Sequence, residues 1–218
     1  MQWDWEFVFR ILPDLARGVV VTVQATLLGS VLAMVVGMVI AVARRSPQRW
    51  VARPVGRFAD FVRGTPLLVQ LYFLFFVLPD MGLVLSPLAA GVLGIGLHYS
   101  TYTAEVYRAG IENVPSGQWE AAKAVNLTAG QTWIYVIIPQ AVPPMIPALA
   151  NYVVMMFKET PLLSAITVLE LMNVARGIAN ASYRYFEPMT LVGVFFLLVS
   201  IPAVVALRRL ERRFSRRP

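Results

Sequence analysis

Long apolar stretches alternate with short polar ones along this chain. The clearest runs from Val19 to Val42 without a single Asp, Glu, Lys or Arg, and Leu83–Ala104 and Pro188–Leu207 share that property. Each approaches the roughly 20 apolar residues that a helix needs to cross a bilayer. Two further spans are less regular. Phe58–Leu78 carries Asp60, Arg63 and Pro66 near its start and turns apolar from Leu67, while Ile134–Phe157 holds Pro139, Pro143, Pro144 and Pro147. Proline removes a backbone donor and kinks a helix, and without water the freed groups need protein neighbours. The proline-rich span is therefore expected to pack against protein rather than lipid. The pattern predicts an all-α integral membrane protein with about five transmembrane helices. A short interfacial or re-entrant helix is expected over Leu162–Val174, inside the mixed Lys158–Glu187 stretch.

Composition agrees with the pattern. Hydrophobic residues make up 58% of the chain and charged ones only 14%, against about 25% charged in a soluble domain. Cysteine is absent, which excludes disulfides and thiolate metal sites. Residues 1–14 read as an external interfacial segment, because Trp3, Trp5 and Phe7 suit the headgroup level. The acidic start lacks the basic n-region of a signal peptide, so the first apolar helix is expected to be retained as a span.

The net charge of +7 is unevenly placed. Arg44, Arg45, Arg49, Arg53 and Arg57 follow the first span, and Arg208, Arg209, Arg212, Arg213, Arg216 and Arg217 follow the last. Arginines abutting span ends obey the positive-inside rule. That puts the N-terminus outside and the C-terminus inside, with 211–218 as a basic cytoplasmic tail and the bilayer as the surrounding partner. Glu170, Arg176 and Arg184 are expected to face the external aqueous side. Nucleic acid is not an expected partner, since it needs a soluble basic face. No internal repeat points to an inverted-repeat secondary transporter.

One polar insert stands out on the cytoplasmic side. Pro115 and Gly117 break the third span, and Gln118–Val125 consists of good helix formers in which Ala121, Ala122 and Ala124 offer small side chains to a partner. Asn126 tolerates the left-handed conformation that ends a helix. Thr128 is a fair N-cap for a second helix running toward Pro139. Helix, turn and helix make a protrusion able to enter a cleft.

This insert resembles the EAA loop of ABC-importer permeases, whose pattern is Glu-Ala-Ala, a glycine, then Ile-x-Leu-Pro. Glu120-Ala121-Ala122 matches, Asn126 stands at the glycine, and Ile138-Pro139 stands at Leu-Pro. Arg63–Gln70, Tyr102–Arg108 and Lys158–Leu162 are similar to the polar amino-acid uptake branch (the histidine/glutamine/arginine type). The likeness covers roughly 15–210, which would form one ABC type-1 transmembrane domain with a coupling loop at about 112–139. It implies a type I importer fold and coupling to the ATPase through Gly117, Glu120, Ala121, Ala122, Asn126 and Pro139. It also implies three partners: an ABC ATPase subunit, a second permease subunit, homologous or identical, and an extracytoplasmic solute-binding protein. The resemblance implies the bacterial inner membrane as the setting.

No Gly-x-x-x-x-Gly-Lys-Ser/Thr loop occurs in the chain, so ATP phosphates must be cradled elsewhere. No catalytic triad or metal-ligand spacing is present, and no cofactor is expected. His98, Tyr102 and Glu105 recur at i, i+4 and i+7 on one face of the third span. Counting from Arg108, His98 sits about 15 Å deeper, near the midplane where a solute site belongs. Tyr99 lies beside it, and Glu105 is expected to pair with a basic residue near the cytoplasmic end. In the family the Lys158-Glu159-Thr160 block lies near the pathway, which nominates Glu159, Thr160 and Ser164. The charges of Lys158 and Glu159 either neutralise each other or meet partners on another span. Aromatic faces and a carboxylate suit an amino acid or a related zwitterion. Gly96–Tyr102 and Phe157–Thr167 look like the ectoine/hydroxyectoine permeases in particular. A stand-alone secondary transporter or channel is the alternative, and it would need no ATPase.

Overall fold

The computed structural model describes residues 3–214, in which helices follow one another without strands. The first helix, α1 (Trp5–Arg44), begins where Asp4 Oδ1 accepts the Phe7 N–H at 3.1 Å. At 1.5 Å per residue it is about 60 Å long. Residues 5–14 thus continue the same helix as the apolar run from Val19. Residues 215–218 of the basic tail lie outside the described residues.

Small residues explain how α1 packs. Gly18, Thr22, Ala25, Gly29, Ala33 and Gly37 form a buried stripe at helical spacing along it. Most of this stripe lies against α4 (Pro87–Glu112), the most enclosed helix of the bundle. A Cβ on Gly37 would come within 2.8 Å of the Ser100 carbonyl, and one on Gly96 within 2.5 Å of Leu32. Such close approach is how helices associate where burial from water provides no drive. Thr103 Oγ1 donates across the contact to Ala33 O at 2.7 Å. The hydroxyls of Thr26 and Ser30 donate back to carbonyls one turn earlier.

The expected Phe58–Leu78 span is broken. Helix α2 (Arg49–Gly64) ends at Thr65-Pro66, where the chain turns by 103° into α3 (Leu67–Tyr72), which continues through a π-helical turn and a 3₁₀ turn to Met81. A residue before proline is pushed out of the helical region, and Thr65 has φ −104° and ψ 131°. Gln70 Nε2 repairs the break by donating to Val62 O at 2.7 Å and Thr65 O at 2.9 Å.

The polar insert forms α5 (Ser116–Ala124), a tight turn, and the one-turn helix α6 (Ala129–Gln131). A π-helical turn (Thr132–Ile137) then runs into α7 (Ile138–Glu159). Pro143, Pro144 and Pro147 lie inside α7, which packs on α4 closely enough that Gly110 faces Met145 and Ala141 O. The segment that follows differs from expectation. A 3₁₀ turn (Thr160–Ile166) ends at Thr167, left-handed at φ 64°, and α8 (Leu171–Ser182) starts only after Glu170 caps it. The expected helix over Leu162–Val174 is split because those four connecting residues do not continue it. The last helix, α9 (Phe186–Phe214), completes the bundle.

Among the described residues, three segments are long and apolar enough to cross a membrane, Trp5–Arg44, Ala129–Ile166 and Phe186–Arg212, with the bent α2–α3 pair as a fourth. Helix α4 is less apolar because its inner side is the polar centre of the bundle. His98, Ser100, Thr101 and Thr103 are all buried there.

Candidate functional site

Four aromatic rings meet where α4 faces α7. Tyr99 and Tyr102 lie with their ring centroids 5.8 Å apart, and Tyr152 on α7 stands 5.9 Å from Tyr99 and 5.7 Å from Tyr102. The ring of His98 completes the group at 5.5 Å from Tyr99 and 5.4 Å from Tyr102. Two turns after Tyr152 on the same face of α7, Glu159 lies near Tyr99. Its Oε2 is buried without a hydrogen-bond partner, one of two such side-chain atoms among the described residues. A buried carboxylate oxygen left open is costly, and beside aromatic faces it suits the ammonium of an organic cation.

His98 is anchored rather than free. Its Nδ1 stands 3.0 Å from Gln70 Nε2, the same amide nitrogen that serves the carbonyls at the α2–α3 break. An amide nitrogen only donates, so Nδ1 accepts and the ring proton sits on Nε2.

The other expected residues fall elsewhere. Thr160 is fully buried and its hydroxyl donates to Phe157 O at 2.7 Å, so that proton is spent locally. Ser164 is half-buried on the 3₁₀ turn, and its carbonyl accepts from Thr167. Lys158 and Glu159 do not pair with each other. Lys158 lines a hollow with Phe196 and Ser200 of α9, and neither charge has an ion-pair partner among the described residues. Tyr152 and Gln70 were not singled out from sequence. The spacing of Tyr152 to Glu159, seven residues on one helical face, was the available signal.

Glu105 pairs with basic residues as expected, and with three of them. Its carboxylate takes Arg63 at 2.9 Å, Arg108 at 2.7 Å, and Arg44 from the end of α1. Helices α1, α2 and α4 are thereby tied at the end that carries the loop of the polar insert.

In that loop, Asn126 has φ 56°. Thr128 caps α6 in a box, with Gln131 N–H donating to its hydroxyl and Thr128 N–H to Gln131 Oε1. Trp119 and Trp133, edge to face at 5.3 Å, staple the two arms. Ala122 points inward and is buried, which corrects its place on the small exposed face. The exposed face is Gly117, Glu120, Ala121 and Ala124. Pro139, also exposed, sits at the start of α7.

On the opposite side of the bundle, Glu170 does not face water. It is completely buried, and its carboxylate accepts from the N–H groups of Met172 and Asn173 at 2.9 and 2.7 Å. Burial pushes its pKa up to about 7, against those two bonds. Arg184 is partly buried and pairs with Asp4 at 2.9 Å and with Glu187.

Residues 11–216 match the family described as binding-protein-dependent transport system inner membrane component. The chain belongs to that family. It is 42% identical over 211 residues to a probable amino-acid ABC transporter permease protein, y4tG, of Sinorhizobium fredii, covering 97% of this chain and 91% of that one. It is 34% identical over 218 residues to the glutamine transport system permease protein GlnP of Escherichia coli, with 99% of each covered. A solved amino acid ABC transporter with histidines superposes with a TM-score of 0.90 at 32% identity, covering 98% of this chain and 100% of that one.

This family member is thus a multi-pass permease subunit of an ABC importer in the inner membrane, with a type I permease fold. ATP hydrolysis belongs to a separate ATPase subunit, and a binding protein delivers the solute. The stand-alone transporter or channel is set aside.

Proposed function

We propose that this permease passes polar amino acids, or zwitterions of similar chemistry, through a site built from Tyr99, Tyr102, Tyr152 and Glu159. The observation that carries the reading is the unpaired, buried Oε2 of Glu159 beside three tyrosine rings. The carboxylate takes the solute's ammonium, and the rings supply faces for its cation and apolar carbons. His98 positions the rings and the α2–α3 break. Thr160 and Ser164 shape the wall through their backbone turn. Ectoine and hydroxyectoine, zwitterions with a delocalised cation, fit the same arrangement and belong in any panel of solutes.

The topology that serves this site has five crossings: α1, the bent α2–α3 pair, α4, the α6–α7 segment and α9. The N-terminus lies outside, as the arginine distribution requires. The exposed face of Gly117, Glu120 and Ala121 then points into the cytoplasm, where the ATPase docks, with Asn126 setting the turn and Pro139 the entry to α7.

Uptake by the complete transporter in proteoliposomes tests the solute site. Glu159→Gln keeps shape and removes charge, so apparent affinity should fall about tenfold or more while subunit assembly persists. Unchanged uptake kinetics would remove Glu159 from the site.

A further inference from the structure

A cavity of about 1070 Å³ opens between α1 and α7 beside the polar insert. Its walls are apolar, with Met38 and Val42 from α1 facing Val142, Met145 and Leu149 from α7. Met38, Val42 and Val142 are exposed at its mouth. Its polar lining gathers at one end, where Arg45, Ser46 and Gln48 follow α1. From Ile138 to Leu149 the α7 wall runs about 16 Å at 1.5 Å per residue, close to half of the roughly 30 Å hydrocarbon core. The slot therefore has the depth of one leaflet.

The polar end carries a cation that the protein leaves without a counter-charge. Arg44 turns inward to Glu105. Arg45, its neighbour, is exposed and forms no ion pair among the described residues. Its guanidinium lies 6.0 Å from the centre of the Trp133 ring. A guanidinium and indoles at headgroup level above an apolar slot match a lipid with a negative head. A helix of another permease would bring apolar surface to the slot and nothing for Arg45.

We propose that this groove is a site for one anionic glycerophospholipid of the cytoplasmic leaflet. An acyl chain lies along α7, and the phosphate sits against Arg45 and Gln48. Only the naming of the leaflet rests on the topology proposed above. Because Trp119 and Trp133 line the groove and staple the coupling loop, a seated lipid braces the element that meets the ATPase.

The test uses the transporter purified with its ATPase in nanodiscs containing equal phosphatidylglycerol and phosphatidylcholine with identical chains. Native mass spectrometry then counts retained lipid. Phosphatidylglycerol should be retained about fivefold over phosphatidylcholine. Arg45→Glu should abolish the preference, Arg45→Lys should keep it, and Leu149→Trp should lower retention of both by filling the slot. Equal retention of the two lipids, or undiminished preference in Arg45→Glu, overturns the proposal.

Should those variants fail to assemble, the absence of cysteine gives a second route. Val142→Cys, with cysteine-free partner subunits, carries a fluorophore that phosphatidylglycerol with brominated chains should quench more than the matching phosphatidylcholine. Equal quenching, or disulfide formation between two Val142→Cys copies, overturns the site. None of these measurements involves uptake, so their failure is separate from that of the solute site.

Discussion

The amide nitrogen of Gln70 stands 3.0 Å from Nδ1 of His98 while it also donates to the carbonyls of Val62 and Thr65. One side chain therefore closes the backbone break at Pro66 and orients the ring that borders the proposed solute site. Gln70→Leu removes these contacts and leaves buried His98 Nδ1 without its donor, a loss of about 1–3 kcal/mol. The melting temperature of the purified permease should fall by several degrees, on the scale of roughly 2–4 °C per kcal/mol for a chain of this size. His98→Asn, which retains an acceptor, should lose less. A His98→Asn variant with unchanged stability but abolished solute affinity would instead make His98 a direct contact.

Glu105 holds three arginines from two other helices and its own turn. Glu105→Gln removes the charge and leaves Arg44, Arg63 and Arg108 repelling one another. The carboxylate is about a quarter exposed, so solvent screens part of the loss. A destabilisation of about 2–3 kcal/mol is expected, with double-mutant cycles against Arg44 and Arg63 showing coupling. Additive effects across those cycles would reduce the cluster to surface pairing.

These two relationships differ in how far the sequence reveals them. The fold of the polar insert was legible because its determinants are local. Asn126 tolerates positive φ, Thr128 caps the next helix, and Pro115 and Gly117 interrupt the third span. The Glu105 cluster was half legible, since its charge demanded a partner but the count depended on where α1 and α2 end. The bend at Pro66 had its signal in Gly64-Thr65-Pro66, but hydrophobicity on both sides concealed it. Tyr152 and the burial of Glu170 depend on which helices meet, and no local pattern encodes that. Glu170 reads as a surface charge in sequence and is in fact a helix cap beneath α1.

Gly37 sets the distance between α1 and α4. A larger side chain there meets Thr103 and the Ser100 carbonyl, neither of which can retreat without breaking the Thr103–Ala33 bond. Gly37→Leu should cost about 1–3 kcal/mol or more through overpacking, seen as lower yield and lower melting temperature. Gly117→Ala serves as a control, because a Cβ there meets nothing within 4 Å, and it should leave folding unchanged.

Glu170 gives the permease a pH-dependent stability. Its pKa, about 7 in the fold against 4.5 as the reference, means that the native state holds a proton that the unfolded chain releases. Between those values stability falls as pH rises, and above about 7 the contribution is flat. Melting temperature should be higher at pH 5 than at pH 8, and Glu170→Gln should flatten that difference. A stability that rises from pH 5 to 8 through this residue would mean that the two backbone donors, not burial, control the carboxylate.

Glu120 stands exposed on the face of α5 that also carries Gly117 and Ala121, while buried Ala122 and the Trp119–Trp133 pair hold the helix to the body. Charge reversal there leaves the fold alone, because Glu120 makes no hydrogen bond or ion pair among the described residues. Glu120→Lys should therefore keep the wild-type melting temperature and weaken co-purification of the ATPase. Exposed charge pairs alone are worth less than 1 kcal/mol. A like-charge contact at a desolvated interface costs several, so the loss should be large if Glu120 is at the centre of the docking face and small if it is at the rim. Measuring ATP hydrolysis and uptake together in proteoliposomes separates the two. Hydrolysis without uptake places Glu120 in the transmission of the stroke, loss of both places it in docking, and normal values for both would take it out of the interface altogether.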